Sequence, residues 1–462
     1  MGQNFFPDTI DQELLFPPSL HDWLEEGHLA RFIADVVGEL DLGDIYGSYA
    51  EKDGRGQSAY APELMVRVLL YGYATGVYSS RKIERRTYED VAFRYLSGDQ
   101  HPDHATLSEF RKRHLPALSG LFTQVLLLCS KLGLVKLGHV SIDGSKIKAN
   151  ASKRKAMSYQ RMNETEVRLK REIEVLLGQA DAADAAEDAL YGKGRHGDEL
   201  PEELSRRESR LEKIRQGKAS LEQEAREKAE QQRKAREQKQ AEQQKKGQKP
   251  GSGQAAVPDP NKALPADKAQ RNFTDPESRI LRDGGNSGTF VQGYNAQIAV
   301  DSQAQVIVAA EVTQQGADNR LLLPMIAQIE NHLDRQPEKV SADAGYWSEA
   351  SVTDPQVKEI DLYVATGRQK HDLLIPTEEG DPPDNATARE AMRHKLRTAE
   401  GHKVYKMRKA IVEPVFGHIK EQRGFRRFSL RGLQNVGHEW KLVCMANNLL
   451  KLFASGWKPQ TV

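Results

Sequence analysis

His139-Val140-Ser141-Ile142-Asp143-Gly144-Ser145-Lys146-Ile147-Lys148-Ala149 is the stretch on which the reading of this chain turns. Val140 and Ile142 are β-branched, so His139 to Ile142 reads as a short buried strand. Asp143 then stands where the strand runs into Gly144. A carboxylate at the end of an apolar strand is costly to bury unless it meets a cation or a hydrogen-bond donor. Asp-Gly steps also mark turns, so this stretch alone leaves two readings open. Two later stretches bear on the choice. Val340-Ser341-Ala342-Asp343-Ala344-Gly345-Tyr346 is a second short strand ending in an aspartate. Tyr405 to Lys420, YKMRKAIVEPVFGHIK, sets Glu413 among basic residues. Three carboxylates from separated segments suit two hard divalent cations.

The chain between these landmarks reads as alternating strands and helices. Gly288 to Asp301 alternates like a strand, SQAQ is a turn, and Val306 to Val312 returns, which makes an antiparallel hairpin. Asp318 reads as the N-cap of a helix over 319–331. Lys339 to Asp343 is a strand, Ser348 to Lys358 a helix, Asp361 to Ala365 a last strand, and Trp440 to Phe453 a core-facing helix. Asp301 is a rival carboxylate, but its place in the hairpin favours a turn role. Glu421 points off the Glu413 face, and Glu400 precedes a glycine in a loop.

The first part of the chain is helical. Leu29, Phe32, Ile33, Val36, Val37 and Leu40 recur at helical spacing. Gly43, Gly47, Gly54 and Gly56 mark a loop, and Pro62 opens the next helix. Arg81 and Lys82 lie in one short basic segment. A second starts at the capping box Thr106-Leu107-Ser108-Glu109 and carries Arg111 and Lys112. These short basic helices read either as helix-turn-helix units for DNA or as a bundle with a solvated basic face. Residues 117–132 form an apolar helix.

Residues 153–285 hold most of the apolar deficit behind an overall hydrophobic content of 38%. Val167, Ile173, Leu176 and Leu177 mark one helix. Leu204, Leu211, Ile214 and Leu221 mark another, and the two together suit an antiparallel hairpin. Residues 222–268 lack an apolar stripe and are expected to be poorly ordered or an isolated solvated helix. GQKPGSGQ, 247–254, reads as a linker. Net charge is +1, so any nucleic-acid partner must be met by local basic patches. Cys129 and Cys444 sit in apolar runs and read as buried thiols of a reducing compartment. No signal peptide and no membrane span is read.

Taken together, SIDGSKIKANAS, GYNAQIAVD, SADAGYWS and YKMRKAIVEPVFGHIK resemble bacterial insertion-sequence transposases of the DDE class. PDHATLSEFRKR, 102–113, is similar to their InsH-type N-terminal domain. The resemblance covers 15–160 and 272–455. It implies an α/β fold: a ribonuclease H-like mixed-sheet catalytic domain (134–160 with 272–462), an all-helical DNA-binding domain (1–133) and a charged insertion (161–271). In that fold the first and fourth strands adjoin, bringing Asp143 beside Asp343. The family's acidic triad falls on Asp143, Asp343 and Glu413, which implies two Mg²⁺ ions, with Mn²⁺ as a substitute, and DNA cleavage followed by strand transfer. Glu413 and Lys420 are seven apart and share a helical face. Tyr405 keeps the family's spacing to Arg408, but four residues rather than three separate Arg408 from Glu413, so Arg408 and Lys409 both compete for the arginine's role. Pro414 implies a helix start or kink that would place Glu413 near a positive helix end. Lys146, Arg423, Arg426, Arg427 and Arg431 are expected at DNA phosphates, Trp347 (and Tyr346) at a splayed base, against the alternative of core aromatics. The implied partners are double-stranded terminal repeats and target DNA, bound by a homodimer in a nucleoid-associated, cytoplasmic bacterial protein. A metal-dependent nuclease without strand transfer and a domesticated DNA-binding protein remain as alternatives. Terminal inverted repeats flanking the gene separate them from a transposase.

Overall fold

The computed structural model describes residues 19–50, 58–191, 202–245, 259–282, 289–367 and 377–458. Its centre is a mixed sheet built on β1 (His139–Lys148). One side of β1 pairs antiparallel with β5 (Phe290–Asp301), from Val140 opposite Asp301 to Lys148 opposite Gly293. The other side pairs in parallel with β7 (Lys339–Ala342), ending at Ile142 opposite Ala342. Beyond β7 lies β8 (Asp361–Val364), also parallel. On the far side of β5, β6 (Ile307–Thr313) pairs with one stretch and β4 (Arg279–Arg282) with another. The sequence reading ended the first strand at Ile142. The strand continues to Lys148 because β5 keeps supplying hydrogen-bond partners after β7 has stopped. Asp143 therefore sits within a strand, at the first residue whose β7 neighbour is gone.

Among the described residues, seven helices precede the sheet: α1 (Leu29–Glu39), α2 (Gly43–Ala50), α3 (Pro62–Thr75), α4 (Ser80–Glu89), α5 (Val91–Leu96), α6 (His104–Arg113) and α7 (Leu115–Lys131). Gly43 to Ala50, read as loop, is helical because Ile45 is buried in the core and the Asp41 carboxylate accepts from the Gly43 N–H. The cap of α6 is Asp103, whose carboxylate accepts from the Thr106 N–H at 2.7 Å, and not the Thr106 box.

A two-stranded ribbon, β2 (Ala156–Ser158) with β3 (Gln270–Asn272), roots the insertion. From it rise α8 (Tyr159–Tyr191) and α9 (Glu202–Lys245). Tyr159 bonds Glu222, Lys218 pairs with Glu166, and Arg207 pairs with Glu172, a descending register that makes the helices antiparallel. Tyr159, Met162, Leu169, Leu211, Ile214 and Leu221 form their own small core. The expectation of an isolated or poorly ordered stretch from 222 fails at its start. Glu224 pairs with Arg271 at 2.8 Å and Arg279 at 2.7 Å, and Ala229 is buried. The linker 247–254 lies outside the described residues.

The remaining helices are α10 (Leu322–Leu333), α11 (Glu349–Val352), α12 (Ala388–Arg397), α13 (Ala399–Gly417) and α14 (Leu433–Ala454). α14 packs on β6 and also on α3 and α7, so the amino-terminal helices and the sheet share one continuous apolar core. Cys129 and Cys444 are buried free thiols within it.

Candidate active site

Parallel pairing of β1 with β7 fixes the first two carboxylates. Ile142 and Ala342 are the last paired residues, so Asp143 and Asp343 are the next residue on each strand. Asp343 turns into a 3-10 turn over Ala344–Tyr346 and its carboxylate accepts from the Gly345 N–H at 2.8 Å. Asp143 points to the sheet face covered by α13: Ser141, two residues earlier on that face, gives its hydroxyl to the Arg408 carbonyl. The Arg408 guanidinium stands 3.4 Å from the Asp143 carboxylate. Burial pushes the Asp143 carboxyl up to about 6; Arg408 opposes this, while Asp343 and Asp318 add to it. Two adjoining carboxylates with one guanidinium leave an excess of negative charge in a half-buried setting, and hard oxygen donors of that kind fit a divalent cation.

Glu413 lies in α13 on its exposed side, while Arg408, Ile411, Val412 and Val415 are buried toward the sheet. The spacing explains this: five residues on from Arg408, Glu413 is turned well away from Arg408 around the helix. Among the described residues, no three His, Cys, Asp or Glu side chains stand close enough to hold one ion between them. The positive helix end expected from Pro414 is absent, because α13 begins at Ala399 and runs through the proline. Proline removes one backbone donor, here the one owed to the Ala410 carbonyl. The Gln305 amide donates to that carbonyl at 3.0 Å and takes the missing N–H's place.

Lys420 falls in a single π-type turn over His418–Gln422 that follows α13. Its ammonium contacts the Ser145 hydroxyl, on the same strand face as Asp143. Tyr405 has the Arg408 guanidinium over its ring at 5.8 Å, and burial raises its phenol. Arg408, and not the exposed Lys409, is thus the cation beside Asp143.

The expected DNA contacts divide by burial. Arg81, Lys82, Lys112, Arg426, Arg427 and Arg431 are exposed, with Arg426 ion-paired to Glu421. Lys146 stands 3.6 Å from the Asp318 carboxylate. Two assignments are corrected. Arg111 is buried and donates to the Tyr78 carbonyl at 3.1 Å. Arg423 is buried and donates to the Tyr73 and Val443 carbonyls, tying α3 to α14. Trp347 is half-buried, with Arg389 over its ring at 5.8 Å. Tyr346 is wholly buried, so it is a core residue and not a stacking platform.

Sequence reading missed a groove of about 670 Å³ beyond the end of β1. Lys148, Lys153, Lys155, Arg427 and Arg431 line it, and Phe290, half exposed, forms part of its wall. The run Lys146 to Lys155 was legible as basic. Its convergence with Arg427 was not, since that depends on a backbone bridge between Lys148 and Arg427.

A half-buried acidic pair on adjoining strands, with Arg408 beside it and a basic groove beyond the end of β1, suits a polyanionic ligand. Two family matches agree with this class. Residues 18–113 match a family described as "Transposase domain (DUF772)", and residues 382–453 match "Transposase DDE domain". Together they support an insertion-sequence transposase of the DDE class, an enzyme of DNA cleavage and strand transfer. The second match takes in Tyr405, Arg408, Glu413 and Lys420; Asp143 and Asp343 lie between the two matched segments. No curated protein and no solved structure matches the chain. No helix among the described residues is long and apolar enough to cross a membrane.

Proposed function

We propose that the protein binds the ends of its own mobile element as a homodimer and cleaves and joins DNA strands at Asp143, Asp343 and Glu413. The observation that carries this reading is the register of β1 and β7, which sets Asp143 and Asp343 side by side beneath α13. The strand order β6-β5-β1-β7-β8, with only β5 and its neighbours antiparallel, supports a ribonuclease H-like catalytic domain over 134–160 and 272–462. Residues 1–133 form the DNA-binding domain and 161–271 the inserted arm, in a bacterial cytoplasmic protein that joins the nucleoid when bound to DNA.

Asp143 and Asp343, with Glu413, would hold two Mg²⁺ ions, or Mn²⁺ in their place, and the bound ions would supply activation of the attacking oxygen and stabilisation of the leaving one. Arg408 orients the Asp143 carboxylate. Lys420 places a positive charge above Ser145, within reach of a phosphate entering along β1. To join Asp143 and Asp343, Glu413 would have to turn in from the exposed flank of α13. The basic groove holds the strand that continues past the scissile phosphate. Trp347, beside the Asp343 turn, offers a ring to a base displaced there.

The direct test uses labelled DNA from the gene's flanks with Mg²⁺, resolved for nicks, hairpins and joined strands. Joined products are expected, and end nicking without joining would leave a nuclease. The groove makes a second prediction. Replacing Lys153 and Lys155 together with Ala weakens end binding and lowers the salt dependence of log K by nearly 2, at about 0.9 for each phosphate no longer neutralised. Fluorescence anisotropy across a salt series checks this; an unchanged slope removes the groove from the DNA path.

A further inference from the structure

The GYNAQIAVD stretch brings Gln297 directly under the acidic pair. Gln297 lies opposite Gly144 in the β1–β5 pairing, and a side chain at Gly144 would fall on the Gln297 amide. The glycine next to Asp143 is therefore the space in which this amide lies. Gln297 is wholly buried, and every polar group of its side chain is engaged. Its Nε2 donates to the Asn295 side-chain oxygen at 2.9 Å and to the Asp318 carboxylate at 2.9 Å. Its Oε1 accepts from the Tyr346 hydroxyl. Its backbone carbonyl accepts from the Trp440 indole N–H at 2.9 Å, so its main chain is held as firmly as its amide.

The partners are what give this arrangement a role. Tyr346 closes the 3-10 turn that begins at Asp343, so the bond to Gln297 pins that turn from below. Asp318 was expected to cap the next helix. That helix starts at Leu322, and the Asp318 carboxylate turns inward to Asn295, Gln297 and Lys146. Its other oxygen comes to the Asp343 side: a Gly345 Cβ would stand 3.0 Å from Asp343 Oδ1 and 3.4 Å from Asp318 Oδ2. Gly345 thus leaves the gap between these two carboxylates open.

We propose that Gln297, with Tyr346 and Asp318, is the positioning device of the acidic centre, setting the Asp343 carboxylate at the height of Asp143 so that the pair accepts a divalent cation without rearrangement. This rests on the reading of Asp143 and Asp343 as metal ligands. Groups that hold a ligating carboxylate in place change metal affinity by about 10–100-fold when removed. Gln297 touches neither DNA nor the reacting phosphate. Its effect is on cation affinity and not on end recognition.

The test is Mn²⁺ binding to the full chain without DNA, read by calorimetry and by electron paramagnetic resonance. Gln297→Met fills the same space without polar atoms and is expected to weaken Mn²⁺ about tenfold or more. Tyr346→Phe keeps the ring, removes one bond, and is expected to weaken it in the same direction; it carries the test if Gln297→Met does not fold. End-DNA binding in EDTA is expected to match wild type for both. Asp143→Ala, run in parallel, is expected to lose Mn²⁺ binding. If Asp143→Ala loses binding while both other variants keep wild-type affinity, the positioning role is overturned and the metal centre stands. If Asp143→Ala itself binds Mn²⁺ normally, the proposed centre is wrong, and this inference falls with it.

Discussion

Asp143→Asn is expected to abolish strand cleavage and, in the same protein without metal at pH 7.5, to raise the melting temperature. The first effect follows from the loss of a full negative charge beside Asp343. A drop of roughly three orders of magnitude or more is the scale seen when one member of a catalytic unit is removed. The second follows from the carboxyl's surroundings. Burial first, then Asp343 and Asp318, raise the Asp143 carboxyl to about 6, against the opposing pull of Arg408 and the Gly144 N–H. The unfolded chain releases this proton near 3.8, so between 3.8 and about 6 the folded state binds more protons. Stability from this group is fully present below 3.8 and is lost as pH rises through about 6. Above that, the ionised side chain costs the metal-free fold on the order of 2–3 kcal/mol. Asparagine carries no such charge. The gain is therefore large at pH 7.5 and small at pH 4, and Mg²⁺ stabilises wild type but not the variant. Calorimetric melting at both pH values, with and without Mg²⁺, checks this; a lower melting temperature for the variant at pH 7.5 contradicts the assignment.

Arg423→Ala has the larger structural effect. The guanidinium is buried between α3 and α14, with its main bonds to the Tyr73 and Val443 carbonyls. Its own carbonyl accepts from the Tyr78 hydroxyl at 3.0 Å. Burial already pulls the guanidinium below its usual range. Truncation takes the donor from the Tyr73 carbonyl in the last turn of α3, about 1–3 kcal/mol, and leaves a cavity between α3 and α14 besides. The expected result is a loss of roughly 3 kcal/mol or more, with soluble yield falling. Arg427→Ala, at an exposed groove position, leaves the melting temperature near wild type and weakens DNA binding instead. If Arg423→Ala melts like wild type and binds DNA weakly, Arg423 belongs to the DNA surface after all.

These two arginines show where sequence reading reached its limit. Four residues apart in one basic run, they look equivalent, and nothing local marks Arg423 as buried. One carbonyl partner, Tyr73, comes from the amino-terminal helices, and the other, Val443, from the helix that follows. The strands around Asp143 and Asp343 were legible because apolar periodicity is local, and their adjacency followed from strand order. Asp318 misled because its capping preference is local, whereas Asn295 and Gln297 reach it across the sheet. Pro414 misled in the opposite sense. Proline's effect on a helix is known from local chemistry, but the Gln305 amide that offsets it comes from the β5–β6 turn. Glu413 was legible as a motif residue, though its five-residue offset from Arg408 already turned it toward solvent.

The hairpin insertion has a consequence for how the chain finds its sheet. β1 and β5 are the central pair, yet the chain between Ser158 and Gln270 separates them. Closing so long a flexible loop costs on the order of 4 kcal/mol of chain entropy. Because α8 and α9 run back along each other from Glu172 and Arg207 to Tyr159 and Glu222, beside the β2–β3 ribbon, they act as a zipper. Pairings nearer in sequence, such as Glu172 with Arg207, come before Glu166 with Lys218 and Tyr159 with Glu222, and each one shortens the span still to be closed. The ribbon then delivers β1 and β5 to each other already in register, so the slow, long-range step of assembly becomes the last tooth of a local one.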